Sequence, residues 1–150
     1  MRFLNELMKY RTFLNQIDER AVTDAVTRAE KRTSGEICVC ISRKPTGDAM
    51  ATAVKLFEKF GLHRTARRNA VLILLAPESR ATAICGDEEV NRVCGQALWV
   101  EVIELLRKKL PDAPTQAIVG AIEQVGRELA KHFPPADDDI NELPDAPHYH

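Results

Sequence analysis

Arg67-Arg68-Asn69-Ala70-Val71-Leu72-Ile73-Leu74-Leu75-Ala76-Pro77 is followed, with only Glu78 and Ser79 between, by Arg80-Ala81-Thr82-Ala83-Ile84-Cys85-Gly86-Asp87. An unbroken apolar run of this length, bounded by polar residues, reads as a strand buried on both faces. Pro77-Glu78-Ser79 is long enough only for a hairpin, so the second run returns antiparallel. Upstream, Glu36 to Ser42 is a further strand, with Ile37, Val39 and Ile41 on one face and Cys38 and Cys40 on the other. Its two faces both look buried, as in a sheet covered by helices on each side.

Helical periodicity fills the spaces between these strands. Asn15 can cap a helix running to about Arg32, in which Ile17, Ala21, Val22, Ala25, Val26 and Ala29 form one stripe. Thr33-Ser34-Gly35 ends it. Asp48 can cap a second helix through Phe60, with Met50, Ala53, Val54, Phe57 and Phe60 inward and Gly61 as the stop. A third helical region spans Glu88 to Leu110, broken near Gly95. After Pro111-Asp112-Ala113-Pro114, a last helix runs to about Lys131 on a stripe of Ile118, Ala121, Ile122, Val125 and Leu129. Residues 1–14 form an amphipathic lead-in with Phe3, Leu4, Leu7 and Met8 on one side. The body is expected at 15–133 and an acidic, proline-rich tail at 134–150, irregular and packed by Phe133, Ile140 and Leu143. The fold class expected is α/β, a three-layer α/β/α sandwich with a central mixed sheet of about four strands.

At 150 residues the chain makes one domain and buries roughly 68–70% of its unfolded surface. A formal net charge of −1 argues against electrostatic capture of nucleic acid or of an anionic membrane. No stretch approaches the ~18 apolar residues of a spanning helix, and the first residues lack the apolar core of a signal peptide, so a cytoplasmic location is expected. The four cysteines lack the paired spacing of a zinc site and read as small buried residues.

A strand–helix–strand crossover makes the first two strands parallel, and the hairpin makes the third antiparallel to the second. The start of strand one, the start of strand two and the end of strand three then share one sheet edge. That edge collects Thr33-Ser34-Gly35-Glu36, Arg67-Arg68-Asn69 and Gly86-Asp87-Glu88. Glu36, Asn69, Asp87 and Glu88 are oxygen donors suited to Ca2+ or Mg2+, and Arg67 and Arg68 suit an anion such as phosphate. Structural readings stand beside these. Asp87, Glu88 and Glu89 begin a helix, where acids favour the dipole and cap free amides. Glu36 can simply pair with an arginine, and the arginines can be a solvated loop.

Other chemistries find no support. There is no Gly-rich phosphate loop. Asn91 stands where a Cys-x5-Arg phosphatase loop starting at Cys85 needs arginine. Asp137-Asp138-Asp139 lacks the strand that would precede an aspartyl nucleophile and the loop glycine of an EF-hand. His63 lies in a polar loop and His132, His148 and His150 in the tail, so no nucleophile–base pair is evident.

The chain resembles the TPM-domain family, small α/β domains often labelled as phosphatases. The resemblance rests on Ala29-Glu30 then Thr33-Ser34-Gly35-Glu36-Ile37, on Arg68-Asn69-Ala70-Val71-Leu72, and on Ile84-Cys85-Gly86-Asp87 before a helix. Trp99, Gly126-Arg127-Glu128-Leu129 and His132-Phe133-Pro134 also fit, and the tail 137–145 resembles that of short cytoplasmic members. It implies a mixed sheet between helices, divalent-cation binding in some members and acid phosphatase activity claimed for some. Glu36, Asn69 and Asp87 are the positions that inherit such a role. The functional expectation is a divalent-cation-binding or accessory module with a protein partner, the alternative being a metal-assisted acid phosphatase.

Overall fold

The computed structural model describes residues 10–135 and 145–150. Phe3, Leu4, Leu7 and Met8 of the lead-in, Asp137 to Asp139, and Ile140 and Leu143 of the tail lie outside the described residues. Residues 10–15 are helical. Thereafter the order is α1 (Glu19–Glu30), β1 (Glu36–Ile41), α2 (Ala49–Lys59), β2 (Ala70–Ala76), β3 (Ala81–Gly86), α3 (Glu88–Lys109), α4 (Pro114–His132) and β4 (His148–Tyr149).

The sheet order is β3-β2-β1-β4. β1 and β2 are parallel with Glu36 opposite Ala70, and β2 and β3 are antiparallel with Val71 opposite Gly86. Both faces of the sheet are covered. Val39, Val71, Ile73 and Ile84 pack with α1, α3 and α4 on one side; Cys38, Cys40, Leu72 and Leu74 pack with α2 on the other. Every residue of β1 and β2 is buried, which is why neither strand shows a polar alternation. This is the three-layer α/β sandwich with a mixed four-stranded sheet.

Four details differ from the sequence reading. Met50 and Val54, expected inward, are exposed, because α2 turns Ala53, Leu56 and Phe57 to the sheet. Asp18, and not Asn15, caps α1, its carboxylate accepting the Ala21 N–H at 3.1 Å. Asn15 is itself helical, and the chain turns at Gln16. The Asp18 N–H is held by Thr115 Oγ1 at 3.0 Å, which fixes the entry of α1 against α4. The helix also ends at Glu30 rather than Arg32. The tail is not wholly irregular: His148 and Tyr149 pair in parallel with Cys40 and Ile41 and supply the fourth strand. Strand pairing there is carried by main chain, so it left no side-chain pattern to read.

Asp48 caps α2 as expected, accepting from Ala51 N–H at 3.0 Å. The break at Gly95 is also present, with φ 72° and ψ 175° inside α3. A side chain there would be strained, so glycine lets the two halves of the helix take different directions.

Candidate functional site

The three segments meet where the topology requires. Glu36 lies opposite Ala70 on one side, and the Asp87 N–H donates to the Ala70 carbonyl at 2.9 Å on the other. The Glu89 N–H donates to the Arg68 carbonyl at 3.2 Å, carrying the contact one step further. Glu36, Asn69 and Asp87 are all buried, at 6%, 1% and 6% exposure, so this edge is a packed polar seam and not a solvated rim.

Arg68 dominates its electrostatics. Nε donates to Asp87 Oδ2 at 2.8 Å and Nη2 to Oδ1 at 2.9 Å, a two-point pair. A further contact runs from Nη1 to Glu88 Oε1 at 3.5 Å. These acceptors raise the Arg68 pKa, the hydrogen bonds to Asp87 being the main cause. Arg68 has φ 51°, a left-handed backbone uncommon for a side-chain-bearing residue. The Asp87 carboxylate also accepts the Glu88 N–H at 2.8 Å and caps α3. It therefore ties together the loop before β2, the end of β3 and the start of α3.

Asn69 faces elsewhere. Its Nδ2 donates to Ser34 Oγ at 3.2 Å, and its own N–H is held by Thr65 Oγ1 at 3.3 Å. Alternation along β1 and β2 sets Glu36 in register with Cys38 and Cys40 on the α2 side. Asn69 falls in register with Val71 and Ile73 on the α4 side. Gly35 makes this close approach possible: a Cβ there would lie 3.2 Å from the Asn69 carbonyl and 3.0 Å from Leu129 Cδ1. Glu88 is largely exposed, and Arg67 is exposed.

The structure thus brings Arg68, Asp87 and Glu88 into contact, sets Glu36 one strand away, and turns Asn69 toward Ser34. Among the described residues no group of three or more His, Cys, Asp or Glu side chains is placed to hold a metal ion. Asp87 and Glu88 remain hard oxygen donors, and both already face a resident cation in Arg68.

Beside the seam, Trp99 sits against Gly86. Its Nε1–H donates to Asn91 Oδ1 at 3.2 Å, and Asn91 Nδ2 donates to the Gly86 carbonyl at 2.8 Å. An open groove of about 1020 Å³ lies at the opposite end of the sheet, lined by Phe13, Leu75, Pro77, Arg80, Arg107 and Leu110.

One polar cluster escaped the sequence reading. Burial drives the Glu30 carboxyl up to about 9, and its hydrogen bond to the Asp145 carboxyl adds to the shift. Glu30 Oε2 accepts the Ile37 N–H at 2.8 Å, and Thr27 Oγ1 donates to Asp145 Oδ2 at 2.7 Å. The available signal was an acid directly after the buried stripe of α1, but its partner lies more than a hundred residues away. The cysteine thiols are also raised by burial, Cys40 to about 11 and Cys38 further.

The profile of the TPM domain matches residues 7–128. Among solved structures, the chain is similar to the NMR structure of the BA42 protein from the psychrophilic bacterium Bizionia argentinensis. The two are 36% identical, with a TM-score of 0.78, over 88% of this chain and 92% of that one. No curated protein matches. Among the described residues no helix is long and apolar enough to cross a membrane.

Proposed function

The chain belongs to the TPM domain family, and from that premise we propose that it is a small accessory module in which Arg68 and a divalent cation compete for Asp87. The observation that supports this reading is the two-point pair of Arg68 with Asp87, extended to the exposed Glu88. Carboxylate oxygens suit Ca2+ or Mg2+. Asp87 and Glu88 would hold the ion, with Glu36 and Asn69 in the neighbouring strands. A bound divalent ion would supply a compact double charge where the planar guanidinium supplies a single one. Its arrival frees Arg68, next to Arg67, for an acidic group on a protein partner.

A titration of the full chain with Ca2+ and then Mg2+, followed by amide-resolved NMR, tests this. Weak binding is expected in the wild type, with saturable shifts at residues 33–37, 67–70 and 85–89 at about 0.1–1 mM or above. Arg68→Gly suits the left-handed backbone at that position and removes the competitor, so it should bind more tightly. Asp87→Ala should lose the response. Silence from both wild type and Arg68→Gly at about 10 mM, well beyond that affinity range, would refute the reading.

The pairing of Arg68 with Asp87 and Glu88, with Arg67 next to it in the chain, favours a second reading, a metal-assisted phosphatase, in which the arginines hold phosphate. Magnesium-dependent hydrolysis of p-nitrophenyl phosphate, lost in Asp87→Asn, would select it over the accessory role.

A further inference from the structure

β1 has two edges, and the second is closed by the chain's own C-terminal segment. Ser42 turns its N–H to the Leu75 carbonyl of β2 at 2.7 Å. By strand alternation, odd-numbered residues of β1 present their N–H groups on the outer edge. Ile37 gives its N–H there to Glu30 Oε2, a side-chain oxygen standing where a neighbouring strand's carbonyl would be. Further along, the His150 N–H donates to the Ile41 carbonyl at 3.1 Å, and the Arg43 N–H donates to the His150 carbonyl at 2.8 Å.

Side chains anchor the same segment. Tyr149 Oη donates to Glu19 Oε2 at 3.1 Å, and the His148 ring lies 5.3 Å from that of Phe60. Pro147 is buried. At the head of the segment, Asp145 is held by Thr27 and by the protonated Glu30 carboxyl. The ladder itself is only two residues long, far below what sustains an independent strand. These head and tail anchors therefore decide whether it stays docked.

We propose that the outer edge of β1 is a strand-acceptor site, filled by the chain's own residues 145–150 and switched at its two anchors, Asp145 on Thr27 and Tyr149 on Glu19. The ligand class is an extended peptide that places a carboxyl group beside Glu30 and an aromatic side chain beside Glu19, docking by strand addition. Asp145-Ala146-Pro147-His148-Tyr149-His150 is its occupant in this chain. The site is separate from the Arg68–Asp87 seam and does not rest on the role proposed there.

The neighbouring charges set the direction of the switch. Burial acts first on Glu30; the Ile37 N–H favours its ionised form, and Asp145 of the tail and Glu36 of β1 disfavour it, while the Cys38 thiol, itself raised by burial, stays neutral. A raised carboxyl pKa favours the docked form at low pH and weakens it as pH climbs toward about 9. His150 works the other way. Burial first, then Lys59, Lys44 and Arg43, hold it below the ordinary histidine value, so its docking is weakened as pH falls below that value. Tyr149, raised to about 12 by burial and Glu19, keeps its proton throughout. Docking is thus favoured between an acid limit set by His150 and an alkaline limit set by Glu30.

NMR of the full 15N-labelled chain from about pH 6 to about pH 10 tests the proposal, reading the Arg43 and His150 amides and the Tyr149 ring. The wild-type signals should move toward free-peptide positions as pH rises, with opening increasing by up to about tenfold per pH unit. Glu30→Gln keeps a neutral donor and acceptor and should remain docked at every pH above the ordinary histidine value; Asp145→Asn leaves Glu30 buried but removes its acidic neighbour, so its response should be smaller than that of the wild type. Unlabelled Asp-Ala-Pro-His-Tyr-His peptide, added in excess at about pH 7 to Tyr149→Ala, whose own tail has lost its anchor on Glu19, should restore docked positions along β1. Tail signals that do not respond to pH, a Glu30→Gln response as large as that of the wild type, or a Tyr149→Ala edge that ignores the peptide would each overturn it.

Discussion

Gly86→Ala puts a methyl group into a space that the structure has already filled. A Cβ at Gly86 would stand 2.8 Å from Trp99 Cζ2, 3.1 Å from Asn91 Oδ1 and 3.2 Å from Val90 Cγ1. Carbon atoms rest at about 3.5–4.0 Å, so the indole has to withdraw by at least about 0.7 Å. It is poorly placed to do so. Its N–H is tied to Asn91, and Asn91 is tied in turn to the Gly86 carbonyl. Overpacking of this kind costs about 1–3 kcal/mol, while the lower entropy of an unfolded chain with alanine returns about 0.4–1 kcal/mol. The clash wins, by about 1–2 kcal/mol, which for a chain of this length lowers the melting temperature by about 2–8 °C. Thermal unfolding by far-ultraviolet circular dichroism reads the stability, and emission from the sole tryptophan reads the displacement. In a Trp99→Phe background Cζ2 is gone, and the same substitution should cost much less. A Gly86→Ala protein as stable as the wild type, or an equal loss in both backgrounds, would refute the reasoning.

Further outcomes can be checked with the same protein. Glu30→Gln should flatten the pH dependence of stability: the wild type loses stability as pH rises from the ordinary carboxyl range through about 9, because folding there requires a proton that the unfolded chain no longer carries. Urea midpoints across that range measure it, and a wild-type slope of the opposite sign would contradict the assignment. Asp48→Ala removes the cap of α2 and should cost about 0.5–2 kcal/mol in chemical denaturation. In thiol labelling under native conditions the half-buried Cys85 and Cys94 should react first. Cys38 and Cys40 should react only as fast as the chain opens, and early modification of either would show that β1 is accessible.

Much of this fold was legible because its decisive signals are local and repeated. The apolar run of β2, the hairpin too short for any other turn, and Asp48 as the cap of α2 each depend on neighbouring residues alone; the buried stripe of α2 does not, and Met50 and Val54 face outward. The common sheet edge followed from connectivity, and Glu36, Ala70 and Asp87 do line up across it. What could not be read were choices made by distant partners. The sequence offers Arg68 to an anion and Asp87 to a cation, because nothing in their spacing says that one guanidinium takes both carboxylate oxygens. Asn69 was grouped with the carboxylates, although strand alternation turns it toward Ser34. Glu30 closes α1, and only the fold sets Asp145 beside it. β4 carries no apolar alternation, since two residues joined by main chain have no need of one.

The strand that closes β1 has a consequence for how the chain is made. On a ribosome, β1, β2 and β3 emerge in order and can pair with one another. The outer edge of β1 must wait for His148 and Tyr149, which are synthesised after every other strand. An open edge is a template for pairing with other nascent chains. Glu30 precedes β1 in the chain and covers the Ile37 N–H with a side-chain oxygen. A residue made before the closing strand therefore already occupies one N–H of that edge, leaving one fewer unpaired donor to a neighbouring chain.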